Sequence, residues 1–206
     1  MLSLLVSSLL VLHAPVPAPR HLHPAAAAPV VSTWKIDATH SELLFRIRHL
    51  VSKVTGTFTD WDGTITGDPT DWKTGSVVVN IRTASISTNN QRRDTHLRSA
   101  DFFDAANYPE MTFKSTSVVV NGESVTLNGD LTLRGVTKPI VLTGTFNGVL
   151  PSSDGRDKVG FEVTTKINRL DFGVSWNRAV EGGGALLGDE VTIQVTIEAV
   201  KQAGSQ

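Results

Sequence analysis

Residues 125–146 read VTLNGDLTLRGVTKPIVLTGTF. Val125, Leu127, Gly129, Leu131 and Leu133 alternate with Thr126, Asn128, Asp130, Thr132 and Arg134. Beyond Gly135 the alternation resumes, with Ile140, Leu142, Gly144 and Phe146 set against Val141, Thr143, Thr145 and Asn147. An extended chain sends successive side chains to opposite faces, so this period of two gives each run one apolar and one largely polar face. Two such runs joined through a Gly-containing turn make an antiparallel hairpin.

The same pattern extends in both directions. Upstream, Leu43, Phe45, Ile47 and His49 share one face of a run, as do Val54, Gly56 and Phe58, and then Val77, Val79 and Ile81. Downstream, Val159, Phe161, Val163 and Ile167 form another apolar face, followed by Val191, Ile193, Val195 and Ile197. Asp62-Gly63, Gly67-Asp68-Pro69, Asn121-Gly122, Asn147-Gly148 and Asp154-Gly155 punctuate the runs with residues that tolerate tight-turn geometry. The 24 Val and 23 Thr, counted along the chain, favour strands over helices. One-sided antiparallel strands bury their apolar faces by curling, and about eight of them can close into a barrel without edges. The inward glycines Gly56, Gly129 and Gly144 are expected to let the sheet bend.

Residues 88–106, TNNQRRDTHLRSADFFDAA, show no alternation. Thr88 and Gln91 have capping-box spacing, and Ser99 can cap a second helix beginning at Ala100-Asp101 that Tyr108-Pro109 ends. The expectation is two short helices in a long connection after the fourth strand. Long connections on barrels often cover a mouth or carry function.

Residues 2–12 form an apolar run too short to span a bilayer but of signal-peptide length. A Pro/Ala-rich stretch follows, with Ala25-Ala26-Ala27-Ala28 at its end. The predicted organisation is a signal peptide over residues 1–27, cut after Ala27, a linker over 28–32, a barrel domain over 33–201 and a tail over 202–206. Such a chain is exported, to a periplasm or as a secreted protein. The competing reading of the N-terminus is a tail or a misassigned start. The formal charge of −1 provides no basic surface for nucleic acid. The absence of cysteine excludes disulfides, thiol catalysis and Cys-ligated zinc. His40, His49 and His96 are the histidines downstream of residue 27 and have no zinc-ligand spacing, so no metal or cofactor is expected. No G-x-S-x-G elbow is present, and Ser41 beside His40 would point to the opposite face of a strand, so no catalytic residue is assigned.

Several strings together resemble the YceI-like family of bacterial lipid- or polyisoprenoid-binding proteins. They are Trp34-Lys35-Ile36-Asp37 with His40-Ser41, residues 45–50 (FRIRHL), residues 54–58 (VTGTF), residues 93–104 (RDTHLRSADFFD) leading into Tyr108-Pro109 and Phe113-Lys114-Ser115, residues 129–139 (GDLTLRGVTKP), residues 168–173 (NRLDFG) and Gly188-Asp189-Glu190-Val191. They run in order over roughly residues 33–200. The resemblance implies an all-β, lipocalin-like barrel of eight antiparallel strands holding a long amphiphile in an apolar pore, export, and often a dimer. It implies polyisoprenoids, isoprenoid quinones or fatty-acid derivatives as ligands.

Phe45, Phe58, Phe113, Phe146, Phe161 and Phe172 are the candidate aromatic lining of such a pore, because rings leave irregular space that a chain can thread. Ile47, Val79, Ile81, Phe103, Leu131 and Leu142 are further lining candidates, and Trp176 is placed to close one barrel end. Each inward aliphatic residue equally suits a packed core. His49 shares the face of Phe45 and Ile47, so it meets either a polar head group or a core partner. Arg92 or Arg98 could face a diphosphate, while Arg93 and Asp94 are expected to form an ion pair bracing the helical segment, with a structural role for His96. Arg134 and Lys138 could touch an anionic membrane transiently, but Gly135 and Pro139 make hairpin chemistry the preferred account. A carrier of a long-chain isoprenoid or other lipid is the favoured function. An enzyme using His49 or His96 as acid/base, and a filled structural barrel, are the alternatives.

Overall fold

Period-two patterning becomes eleven strands and one helix in a computed structural model that describes residues 31–181 and 183–203. The predicted signal peptide and most of the predicted linker lie outside the described residues. The first strands are β1 (Ser32–Ile36), β2 (Glu42–His49), β3 (Ser52–Phe58), β4 (Trp61–Asp68), β5 (Asp71–Arg82) and β6 (Ile86–Ser87). Helix α1 (Gln91–Arg98) follows, then β7 (Glu110–Asn121), β8 (Ser124–Leu133), β9 (Val136–Leu150), β10 (Lys158–Asn168) and β11 (Leu187–Lys201).

Eight staves close into an antiparallel barrel. β1 and β2 are two halves of one bent stave, and β3 and β4 are halves of the next: β1 pairs with β4, and β2 pairs with β3. From there the order is β5, β7, β8, β9, β10 and β11. The ring shuts where β11 pairs with both halves of the first stave, through Ile36↔Ala199 on β1 and Ile193↔Phe45 on β2. Closure leaves no full-length sheet edge exposed. The short β6 adds Ile86↔Phe58 beside β3.

The chain turns at alternate ends. One end carries the β2–β3 turn, the 88–109 connection with α1, the β8–β9 turn at Arg134-Gly135, and the loop between β10 and β11. The other carries the β4–β5, β7–β8 and β9–β10 turns.

The interior glycines do more than permit bending. The Phe45 ring lies over Gly56 and the Phe113 ring over Gly129, so neither position has room for a side chain. A Cβ at Gly144 would overlap the carbonyl oxygen of Glu162 on β10, so glycine sets the close approach of β9 and β10. Arg134 and Gly135 both take positive φ, 53° and 74°, which confirms hairpin chemistry there.

Two details of the long connection depart from expectation. It leaves from the third stave, because the bend at residues 37–41 does not reverse the chain and the two strands flanking it merge into one stave. It also holds one α-helix, where two were expected. Asn90, not Thr88, is the N-cap, its side chain accepting from Arg93 N at 3.0 Å. Beyond Ser99 the chain runs in successive turns, with Asp104 at φ 49°. Ser99 Oγ is spent on His96 O at 2.7 Å, closing α1 instead of opening a second helix.

Candidate functional site: an apolar barrel cavity with a basic rim

The inward strand faces enclose a cavity of about 640 Å³. That is within the usual range for small-molecule sites. Aliphatic and aromatic side chains from every stave form its wall, among them Ile47, Val79, Ile81, Leu131 and Leu142.

Trp72 and Phe161 form the floor, their rings edge-to-face with centroids 5.5 Å apart. Trp72 stands on β5 yet reaches Phe161 on β10 and Phe146 on β9. Room for its indole comes from Gly67, where a Cβ would lie 2.7 Å from Trp72 Cε3, while at Gly75 a Cβ would lie 2.8 Å from the backbone oxygen of Trp72. Higher up, Phe58 bridges Phe45 and Phe103, with centroids at 5.9 and 5.6 Å.

The mouth lies at the α1 end. His49, Asn90, Arg92, Arg93, His96 and Arg169 line the cavity there, and no carboxylate lines it among the described residues. Arg92 is exposed and has no hydrogen bond or ion pair to protein among the described residues. The half-buried His49 ring likewise has no partner among them. His96 Nε2 meets Asp101 Oδ2 at 2.8 Å, and its ring stands edge-on to Phe102 and Trp176, with centroids at 5.0 and 4.9 Å.

The rim is held by bonds that tie up its other polar groups. Buried Asp94 turns away from the cavity: its Oδ1 accepts from Thr88 N at 2.8 Å and Thr88 Oγ1 at 2.5 Å. Arg93 Nε donates to the same hydroxyl at 2.7 Å, and Nη2 donates to Thr88 O at 3.0 Å. The expected Arg93–Asp94 ion pair is therefore replaced by a bridge through Thr88. Arg98 donates to Ala84 O and Ile86 O, fixing α1 on β6, and does not line the cavity.

All but two of the lining residues expected from sequence do line this cavity: Phe45, Ile47, His49, Phe58, Val79, Ile81, Arg92, Phe103, Phe113, Leu131, Leu142, Phe161 and Trp176. The exceptions are Phe146 and Phe172. Phe146 packs behind the floor, 5.0 Å from Phe161, and Phe172 is sealed in the core at 2% exposure. Trp61 and Trp72 line the wall unforeseen. Trp61, Gly63, Ile65 and Gly67 do alternate with polar residues, but the two glycines dilute that signal.

Arg169 is another unforeseen residue. Only 4% exposed, it donates to Gly188 O at 2.9 Å, Val174 O at 2.6 Å and Trp176 O at 2.9 Å, and contacts Asp189 at 3.2 Å. It clamps the loop carrying Trp176 onto β11.

Asp37, His40 and Glu198 bring ligand-type atoms within 4.8 Å of one another at the β1–β2 bend. These groups are already engaged: His40 Nδ1 meets Asp37 at 2.8 Å, and Lys158 donates to Glu198 at 2.6 Å. The His40 hydrogen bond, with that from Thr39 N, holds the Asp37 carboxyl below the usual carboxylate range. Hydrogen bonding to Glu198 likewise raises Lys158.

The model of the YceI-like domain matches residues 34–199. Protein YceI of Escherichia coli O157:H7 is 41% identical over 181 residues, covering 86% of this chain and 92% of that protein. A UPF0312 protein of Staphylococcus aureus (strain N315) is 38% identical over 170 residues, covering 82% and 97%. The crystal structure of the Campylobacter jejuni YceI protein superposes with a TM-score of 0.67 at 36% identity, covering 76% of this chain and 90% of that one. A polyisoprenoid binding domain from Saccharophagus degradans shares the fold, with a TM-score of 0.60 at 19% identity over 82% and 98% of the two chains. With a family model spanning the whole ring of staves and relatives above 35% identity over most of their length, this chain belongs to the YceI-like family.

Proposed function

We propose that this protein is a non-catalytic carrier of a long-chain amphiphile, with the tail in the barrel cavity and the head at the α1 rim. The carrying observation is the polarity gradient of one continuous cavity: an apolar wall and floor, and a mouth with three arginines, two histidines and, among the described residues, no carboxylate. Each buried CH₂ contributes about 0.8 kcal/mol, so the tail drives binding and the ordering costs of association set its ceiling. The unpartnered Arg92 and His49 are free to meet an anionic or oxygen-rich head. The Saccharophagus neighbour of the same fold is a polyisoprenoid binding domain, which supports a prenyl tail. No hydrogen bond joins a lining histidine to a lining hydroxyl among the described residues, which favours carriage over turnover. A cavity of this size also argues against a filled structural barrel. The leader-like residues 1–27 support export to a periplasm or beyond.

Native mass spectrometry of protein from its own envelope fraction, with solvent extraction, tests the reading. A stoichiometric hydrophobe is expected. Clean apo-protein that also refuses added prenols would overturn it. Arg92→Gln should weaken binding of a prenyl phosphate roughly five-fold, as for an exposed ionic contact of about 1 kcal/mol, and leave a neutral prenol unaffected. Titration of both ligands against both proteins checks this, and equal losses would remove Arg92 from head-group recognition.

A further inference from the structure

The β2–β3 hairpin presents an unusual tip. Its two turn residues, Leu50 and Val51, are both apolar, and Val51 is fully exposed at 103% while Leu50 is exposed at 42%. Leu50 adopts a φ of 53°, a conformation that an L-leucine takes at a cost. Arg48 Nη1 donates to Leu50 O at 3.1 Å, and Leu50 N donates to Leu186 O at 2.9 Å, so the turn is braced in place. A turn that needs only to reverse the chain would carry Asn or Gly here.

The strands beneath the tip carry a second anomaly. Arg48 sits directly opposite Lys53, and Arg46 lies two residues further down the same face. Like charges directly opposite one another across strands destabilise a sheet. None of the three cations has a carboxylate within salt-bridge distance among the described residues. The two carboxylates at this level of the adjoining β11, Asp189 and Glu190, are engaged by Arg169 and Lys166. This basic collar under an apolar tip lacks an anionic partner among the described residues.

Position supplies the third observation. His49, between Arg48 and Leu50, lines the cavity mouth, and Leu186, which holds Leu50, lines it as well. We propose that the β2–β3 hairpin docks the protein on an anionic bilayer. Leu50 and Val51 enter the boundary between head groups and acyl chains, and Arg46, Arg48 and Lys53 meet lipid phosphates. The cavity mouth then faces the leaflet. The proposal rests on the carrier reading for its purpose, because a tail that shuns water is best exchanged where it never crosses water.

Sedimentation with vesicles tests it, using protein purified from its host envelope. Wild type should pellet with vesicles of phosphatidylglycerol and phosphatidylcholine, less so in high salt, and stay in solution with phosphatidylcholine alone. Arg48→Gln and Lys53→Gln should each weaken partitioning about five-fold, the equivalent of about 1 kcal/mol per cation near an anionic surface. Val51→Asp should abolish pelleting. Lys73→Gln, an exposed change at the opposite barrel end, should leave it unchanged. Wild type that ignores anionic vesicles, or a Lys73→Gln loss equal to that of the hairpin variants, would overturn the proposal. Uptake of a prenol delivered in solution is measured in parallel: uptake without pelleting refutes docking and leaves the carrier reading standing, and pelleting without uptake does the reverse.

Discussion

Replacing Arg169 with methionine should cost roughly 3–5 kcal/mol of stability, among the largest single losses available in this barrel. The side chain is 4% exposed and serves three backbone carbonyls at once, those of Val174, Trp176 and Gly188. Methionine fills similar volume but leaves those acceptors without a donor, at about 1–3 kcal/mol for each that stays buried. Lysine keeps the charge but not the planar fork that reaches three directions, so Arg169→Lys should recover only a minor part. Urea denaturation gives the free energy directly, and a fall of roughly 10 °C in Tm should accompany it. A loss below about 1 kcal/mol would mean that water replaces the guanidinium easily and that the Trp176 loop does not depend on the clamp.

The second large effect is expected at the cavity floor. Trp72→Ala should destabilise by about 3–5 kcal/mol, since removing a buried aromatic leaves a hole the sheet cannot fill. Gly67 is the seat of the indole and has no side chain with which to refill it. Trp72→Phe should cost much less. The buried indole N–H has no hydrogen-bond partner among the described residues, so phenylalanine forfeits no such bond and keeps a ring against Phe146 and Phe161. If the tail ends at this floor, Trp72→Ala also lengthens the best-bound chain. A ladder of prenols competed in native mass spectrometry reads that shift. A destabilised variant with an unchanged length preference would show that the tail stops short of Trp72.

The barrel itself was legible because its information is local and repeated. Val125 to Phe146 alternate cleanly, and the same phase brings Phe45, Ile47 and His49 to the cavity together. What escaped was whatever depends on contacts across the ring. Nothing near Trp72 in sequence announces that it will reach two opposite strands. Phe146 sits on an apolar strand face, yet periodicity states only that a side chain points inward, not whether it meets empty space or another ring, and Phe172 lies in a short helical turn at Arg169–Phe172 outside any alternating run. The role of Arg169 is invisible in sequence because its acceptors lie five to nineteen residues away and are backbone atoms, which no side-chain pattern reveals. The second helix failed for a local reason: Ser99 can cap either direction, and closing α1 took its hydroxyl.

The ring is shut by the first described strand and the last. Ile36 pairs with Ala199, and Lys35 with Val200, so the first and last described strands form one continuous seam. A chain that lacks β11 cannot close the ring, and the final stave must be present before the first acquires its second neighbour. Folding must therefore wait for the slowest kind of contact, one that spans nearly the whole sequence. Until then the staves expose unpaired edges and apolar faces, the form in which a chain is open both to threading through a narrow channel and to aggregation. The closing seam that protects the finished barrel also delays it, so cleavage or deletion within residues 199–201 should trap a barrel opened at the β1–β11 contact.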